Sequence, residues 1–167
     1  MVVAEMSGDS PLPSRDHPGV IAFPPPLLFA GGALLSGSLH FIWPLRLSGH
    51  RWLSLAAGIL LAAGAAALAK WAERTMKAAG TNVRPDRPAL TVVRTGPYRF
   101  TRNPMYLALC LLQLALGFAL NDWIPLLAVI PLALILHFGV VRREEKYLEM
   151  KFGEHYLALK RDVRRWL

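Results

Sequence analysis

The segment Arg94 to Tyr106, R-T-G-P-Y-R-F-T-R-N-P-M-Y, gathers cationic, polar and aromatic side chains just where an apolar run begins. Gly96-Pro97 marks a turn. Asn103-Pro104 reads as a helix start, with Asn as cap and Pro at the first helical position. Tyr106 stands four residues beyond Arg102, and Gln113 seven beyond Tyr106, so the three fall near one helical face that points inward. A second polar set lies further on, where His137 precedes Glu144 by two helical turns and Arg142, Arg143, Glu144 and Glu145 are consecutive. In an apolar chain an ionisable side chain faces a partner helix or a wet cavity, and it is a functional candidate by default. Two such faces meeting at one end of a hairpin predict a pocket. Glu145, Tyr98 and His137 are the groups there that can take a proton.

The same residues have plainer uses. Arg102, Arg142 and Arg143 can anchor helix ends by snorkelling, and Glu144 and Glu145 can pair with basic neighbours on a solvated helix. His137, Gln113 and His40 suit structural interhelical hydrogen bonds, and Cys110 suits a small buried apolar position.

The elements that must position these groups follow from the apolar runs. Hydrophobic types make up 54% of the 167 residues and charged types 18%, below the roughly 25% of a soluble domain. Val20 to Leu45 carries no charged side chain and exceeds the roughly 20 residues that cross a hydrocarbon core. Pro24, Pro25 and Pro26 suit a helix start near Pro25. Trp52 to Ala69 is a second uncharged run, flanked by Arg51 and Lys70, with Ala57, Gly58, Ala62, Ala65 and Ala66 available for close helix packing. Asn103 to Asn121 and Trp123 to Val141 are two more, separated only by Asp122, which predicts a tight helical hairpin. Pro131 inside the last run predicts a kink. The fold class is all-α, a polytopic membrane protein with four transmembrane helices and an amphipathic cytoplasmic C-terminal helix. Residues 1–19 form a polar, Pro-rich disordered tail, 20–141 the four-span region with its loop at 70–102, and 142–167 a helical cap over the mouth.

The net charge of +8 does not indicate a nucleic-acid partner, because the basic residues avoid the apolar runs instead of covering a wet surface. All but two of the 19 Lys and Arg residues, Arg46 and Arg51, fall on one side of a four-span arrangement. By the positive-inside rule that side is cytoplasmic and holds both termini. One cysteine excludes an intramolecular disulfide, and no Cys/His cluster has metal-ligand spacing.

Gly96-Pro97-Tyr98, then Arg102-Asn103-Pro104-Met105-Tyr106, then Glu144-Glu145 followed by Phe152-Gly153 and Tyr156, resembles the isoprenylcysteine carboxyl methyltransferase and phospholipid methyltransferase superfamily. The resemblance covers roughly Thr91 to Trp166, and the R-N-P-M-Y variant is similar to bacterial members, which implies an inner-membrane location. It implies S-adenosylmethionine as cofactor and a lipophilic or lipid acceptor reached from the bilayer, with membrane lipids as surroundings. Gly96, Tyr98, Arg102, Asn103, Tyr106, Glu144, Glu145 and His137 are then the cofactor-binding candidates, and Arg102, Glu145 and Tyr98 the catalytic ones. Arg102 suits the cofactor carboxylate, and a Glu suits its ammonium and ribose hydroxyls. Methyl transfer needs no metal. No strand followed by a glycine-rich turn and helix is present, so the cofactor site is not of the dinucleotide-binding kind. Two other classes fit the chain: an NADPH-dependent membrane reductase of related fold, and a non-catalytic membrane protein whose basic rim binds anionic lipid.

Overall fold

The structure, a computed structural model, describes residues 24–84 and 87–167. The tail expected at residues 1–19 and the first residues of the first apolar run lie outside the described residues. Helix α1 spans Pro25–Ile42 and begins on the prolines as expected, with the Leu27 and Leu28 amides bonded to the Pro24 carbonyl at 2.8 and 3.2 Å. Helix α2 spans Arg51–Ala78 and so runs well past Ala69. Nothing after Ala69 breaks a helix until Gly80, which turns the chain at a φ of 70°. Glu73 also pairs with Lys70 and Lys77 at helical spacing, which supports the extra turns.

Helix α3 spans Pro104–Leu120 and α4 spans Trp123–Leu127. The turn between them is as short as the single charged residue predicts. Asn121 takes the left-handed conformation at φ 53°, and the Asp122 carboxylate caps α4 through the Ile124 amide at 2.7 Å. Pro131 has no N–H for the Leu127 carbonyl and its ring crowds it. The helix therefore breaks at Ala128 and resumes as α5, Val129–Ile135. A π-helical stretch, Leu136–Val141, leads into α6, Arg142–Phe152. The single C-terminal helix expected from Arg142 onward is instead two. Gly153, at φ 49° and ψ −126°, separates α6 from α7, Glu154–Asp162, and the chain leaves α7 extended at Val163.

Among the described residues, three helical runs are long and apolar enough to cross a membrane: Pro25–Ile42, Arg51–Ala78 and Trp123–Phe152. The apolar α3 is shorter, at 17 residues. It is the central helix, packed against α2 on one side and α4 and α1 on the other. Outward faces are as apolar as the interior: Leu34, Phe41, Trp52 and Leu60 are all exposed, as expected where lipid is the solvent.

Close approach around α3 depends on two glycines. A Cβ on Gly58 would sit 2.7 Å from the Ala119 backbone nitrogen, and one on Gly117 would sit 2.5 Å from the Leu126 Cα. Backbone cannot yield as a flexible side chain can. Gly117→Ala is therefore expected to force α3 and α4 apart and cost about 1–3 kcal/mol. Thermal unfolding in detergent checks this against Gly64→Ala, where an added Cβ meets nothing within 4 Å and the midpoint is expected to hold.

The end of the bundle away from Arg102 is closed by Asp122, which is fully buried. Its Oδ2 accepts from the Leu45 amide at 2.8 Å and lies 2.7 Å from His40 Nδ1. His40 thus has the structural role open to it from sequence. Gln113 does too, because its Nε2 donates to the Pro125 carbonyl at 2.8 Å and to Ser36 Oγ at 3.3 Å, joining α3 to α4 and α1. The face shared by Arg102, Tyr106 and Gln113 is thus divided, with its last member serving the bundle interior.

Candidate functional site

At the other end, α2, α3 and α6 enclose a pocket of about 900 Å³, counting the space open to solvent. Tyr98, Arg102, Asn103, Tyr106, Glu144 and Glu145 all line it, so six of the eight candidate residues come together. Residues from the α2–α3 loop, including Thr81, Asn82 and Val93, complete the wall together with Met76, Tyr147, Leu148 and Tyr156.

Gly96 and His137 stand apart from the lining. Gly96 opens the short 3-10 turn Gly96–Arg99 at φ 57°. A Cβ there would meet Thr75 Oγ1 at 2.5 Å, so its contribution is to seat the turn on α2 and aim Tyr98 inward. His137 was expected to share a face with Glu144. The π-helical stretch between them carries more residues per turn than an α-helix, and this shifts the phase of everything after it. His137 consequently stacks with Trp166, ring centroids 6.3 Å apart, and its Nδ1 accepts from the Trp166 indole N–H at 3.2 Å. It anchors the C-terminal tail.

Asn103 is the residue before α3, but its side chain makes no cap hydrogen bond. Its Nδ2 instead donates to the Arg165 carbonyl at 2.8 Å, because the tail folds back across the start of α3 and offers a buried acceptor. The Thr101 hydroxyl donates to the same carbonyl at 3.2 Å, and the Arg102 amide donates to the Arg164 carbonyl at 3.0 Å.

The two adjacent glutamates differ completely in their partners. Glu145 is held by Arg165 through both oxygens, Nε to Oε1 at 2.9 Å and Nη2 to Oε2 at 2.7 Å. Such a two-pronged pair is the strong form of this contact. Arg102 Nη1 also lies 3.1 Å from Oε1. A carboxylate so held is a weaker proton acceptor than a free one. Glu144 faces the Tyr106 hydroxyl and has no cationic partner among the described residues. Consecutive residues on a helix point about 100° apart, which is why one meets the tail and the other the Tyr106 hydroxyl.

Tyr98 is pushed well above the ordinary tyrosine range by burial and, secondarily, by the Glu144 charge. The shift keeps the hydroxyl protonated, so it is available to donate. Burial likewise pushes Tyr156 up to about 12. Arg165 is shifted upward, first by its hydrogen bond to Glu145, and remains charged.

Arg102 is only 8% exposed, which is too enclosed for a snorkelling anchor. Its Nε has no hydrogen-bond partner, and Nη1, although near Glu145, is not aimed at it well enough to form one. A buried guanidinium with idle donors at a pocket wall is costly unless something arrives to accept from it. Arg165 gave no separate signal in sequence, where it sits in a basic run with Arg161 and Arg164.

A helical membrane protein with a largely apolar pocket that carries a small set of charged and phenolic groups is the class that this fold and site define. The chain belongs to the phospholipid methyltransferase family, whose model matches residues 53–155, from α2 into α7. That places it among membrane methyltransferases. It is also 44% identical over 63 residues to an uncharacterized protein of Haemophilus influenzae, a match covering 38% of this chain and all of that protein.

Proposed function

We propose that the protein transfers a methyl group from S-adenosylmethionine to a lipophilic acceptor, with its pocket end at the cytoplasmic surface and α3 as a fourth span. The observation that carries this reading is the Arg102 guanidinium, buried at the pocket wall with donors unused. The donor set fits the cofactor. Arg102 would hold its carboxylate, and the Glu144 carboxylate and Tyr98 hydroxyl would meet its ammonium and ribose hydroxyls. When bound, S-adenosylmethionine supplies a methyl group already activated by its sulfonium.

The protein's own task is then alignment and exclusion of water. The Tyr106 hydroxyl faces Glu144 and so helps to fix that carboxylate in place. Glu144 can take a proton from an acceptor that carries one, such as an amine, whereas a carboxylate acceptor has none to lose. Met76, Val93, Met105 and Leu148 give the wall an apolar side suited to an acyl or prenyl chain. The basic residues that surround the pocket end, Arg74, Lys77, Arg84, Arg87 and Arg94 among them, support a cytoplasmic orientation.

The test is calorimetric titration of detergent-solubilised protein with S-adenosylhomocysteine, with NADPH as control. Saturable binding of the first and none of the second is the expected outcome. The reverse would favour the reductase reading, and binding of neither by folded protein with lipid restored would remove the methyltransferase reading.

A further inference from the structure

The C-terminal tail is tied to the residues beside the pocket. It folds back over the start of α3 through three hydrogen bonds, from Arg102 N, Thr101 Oγ1 and Asn103 Nδ2 to the carbonyls of Arg164 and Arg165. Trp166 is fastened to His137 beyond them. These anchors fix the backbone on both sides of the Arg165 side chain. Arg165 lies past residue 155, where the family match ends.

Glu145 sits between two guanidinium groups and satisfies only one of them. Arg165 takes both of its oxygens at 2.7 and 2.9 Å. Arg102, 3.1 Å from one of those oxygens, is left without a well-formed bond to it. Two cations thus share one carboxylate, and the cation facing the pocket is the one with unused donors. Were Arg165 absent, Glu145 would be the nearest acceptor for Arg102, and a short rotation would convert the idle donors into a closed ion pair.

We propose that Arg165 is a positioning residue: by engaging Glu145 completely, it keeps the Arg102 guanidinium available to receive the anionic group of a pocket ligand. Resting on the cofactor reading above, that group is the amino-acid carboxylate of S-adenosylmethionine. The tail is therefore part of the anion receptor although it touches no ligand.

The experiment compares two ligands, S-adenosylhomocysteine, which carries the carboxylate, and methylthioadenosine, which lacks the whole amino-acid part. Their affinity ratio reports on the carboxylate site, and methylthioadenosine binding also reports that the protein is folded. In Arg165→Ala the ratio is expected to fall about tenfold or more, the worth of one charge-assisted contact, with methylthioadenosine affinity nearly unchanged. In Arg165→Ala combined with Glu145→Ala the ratio is expected to recover, because Arg102 again has no competing acceptor. A tail that merely anchors the fold would give a double variant no better than the single one, and that result overturns the proposal. An unchanged ratio in Arg165→Ala, with wild-type binding normal, overturns it as well. If the wild type binds neither nucleoside, the cofactor reading itself is wrong and this assignment falls with it.

Discussion

Arg102→Ala is expected to weaken S-adenosylhomocysteine binding by about 100-fold, the upper range for a lost contact between a guanidinium and a carboxylate. The expectation rests on the buried, under-bonded state of that guanidinium. The substitution also has a built-in safeguard, because Arg165 continues to neutralise Glu145 through both oxygens. No carboxylate is stranded in the interior, which is the usual reason that cutting a buried ion pair unfolds a protein. Lysine at this position keeps the charge but not the planar fork, so Arg102→Lys is expected to fall between wild type and alanine. Calorimetry on the three proteins, with thermal unfolding alongside, makes the measurement. Affinity within threefold of wild type in a folded Arg102→Ala protein would show that the guanidinium is not the receptor.

Glu144→Gln is expected to separate chemistry from binding. Glutamine keeps the shape of the side chain and an oxygen for the Tyr106 hydroxyl, but it cannot take a proton. Transfer of labelled methyl from S-adenosylmethionine to extracted membrane lipids is expected to fall by roughly 10²–10⁴, the span typical of a lost general base. S-adenosylhomocysteine affinity is expected to stay within a few-fold. Glu145→Gln makes the contrast, since Glu145 is committed to Arg165 and Arg102 and its loss should appear in stability first. Undiminished transfer by Glu144→Gln would mean that the acceptor arrives without a proton to lose, as a carboxylate would.

Much of this arrangement was legible in the residues. Proline at the start of α1 and α3, the single charged residue between α3 and α4, and a break caused by Pro131 all follow from local rules about donors, ring clashes and charge in apolar surroundings, and they appear where those rules put them. Helix α2 continues beyond the uncharged run because charge ends only the apolar stretch and leaves helix propensity intact. Arg102, Tyr106 and Glu144 stood out because polar groups at the boundary of an apolar run have few reasons to be there.

Other parts were out of reach of any spacing rule. His137 and Glu144 are two turns apart in a regular helix, and a single π-helical stretch around Gly139 undoes that alignment while the chain stays helical. Asn103 has the composition of a cap, yet its amide is claimed by a carbonyl 62 residues away in sequence.

The sequence by itself determined the family, the helical runs, the hairpin and the segment that forms the pocket, because each depends on composition or on residues within a few turns of one another. Only the tertiary structure decided which of two adjacent glutamates is a locked ion pair and which faces the Tyr106 hydroxyl. That choice is made by Arg165, 20 residues further along the chain, and it exists only once the tail has folded back over α3. A contact between distant segments leaves no period in the sequence. It follows from the path of the backbone.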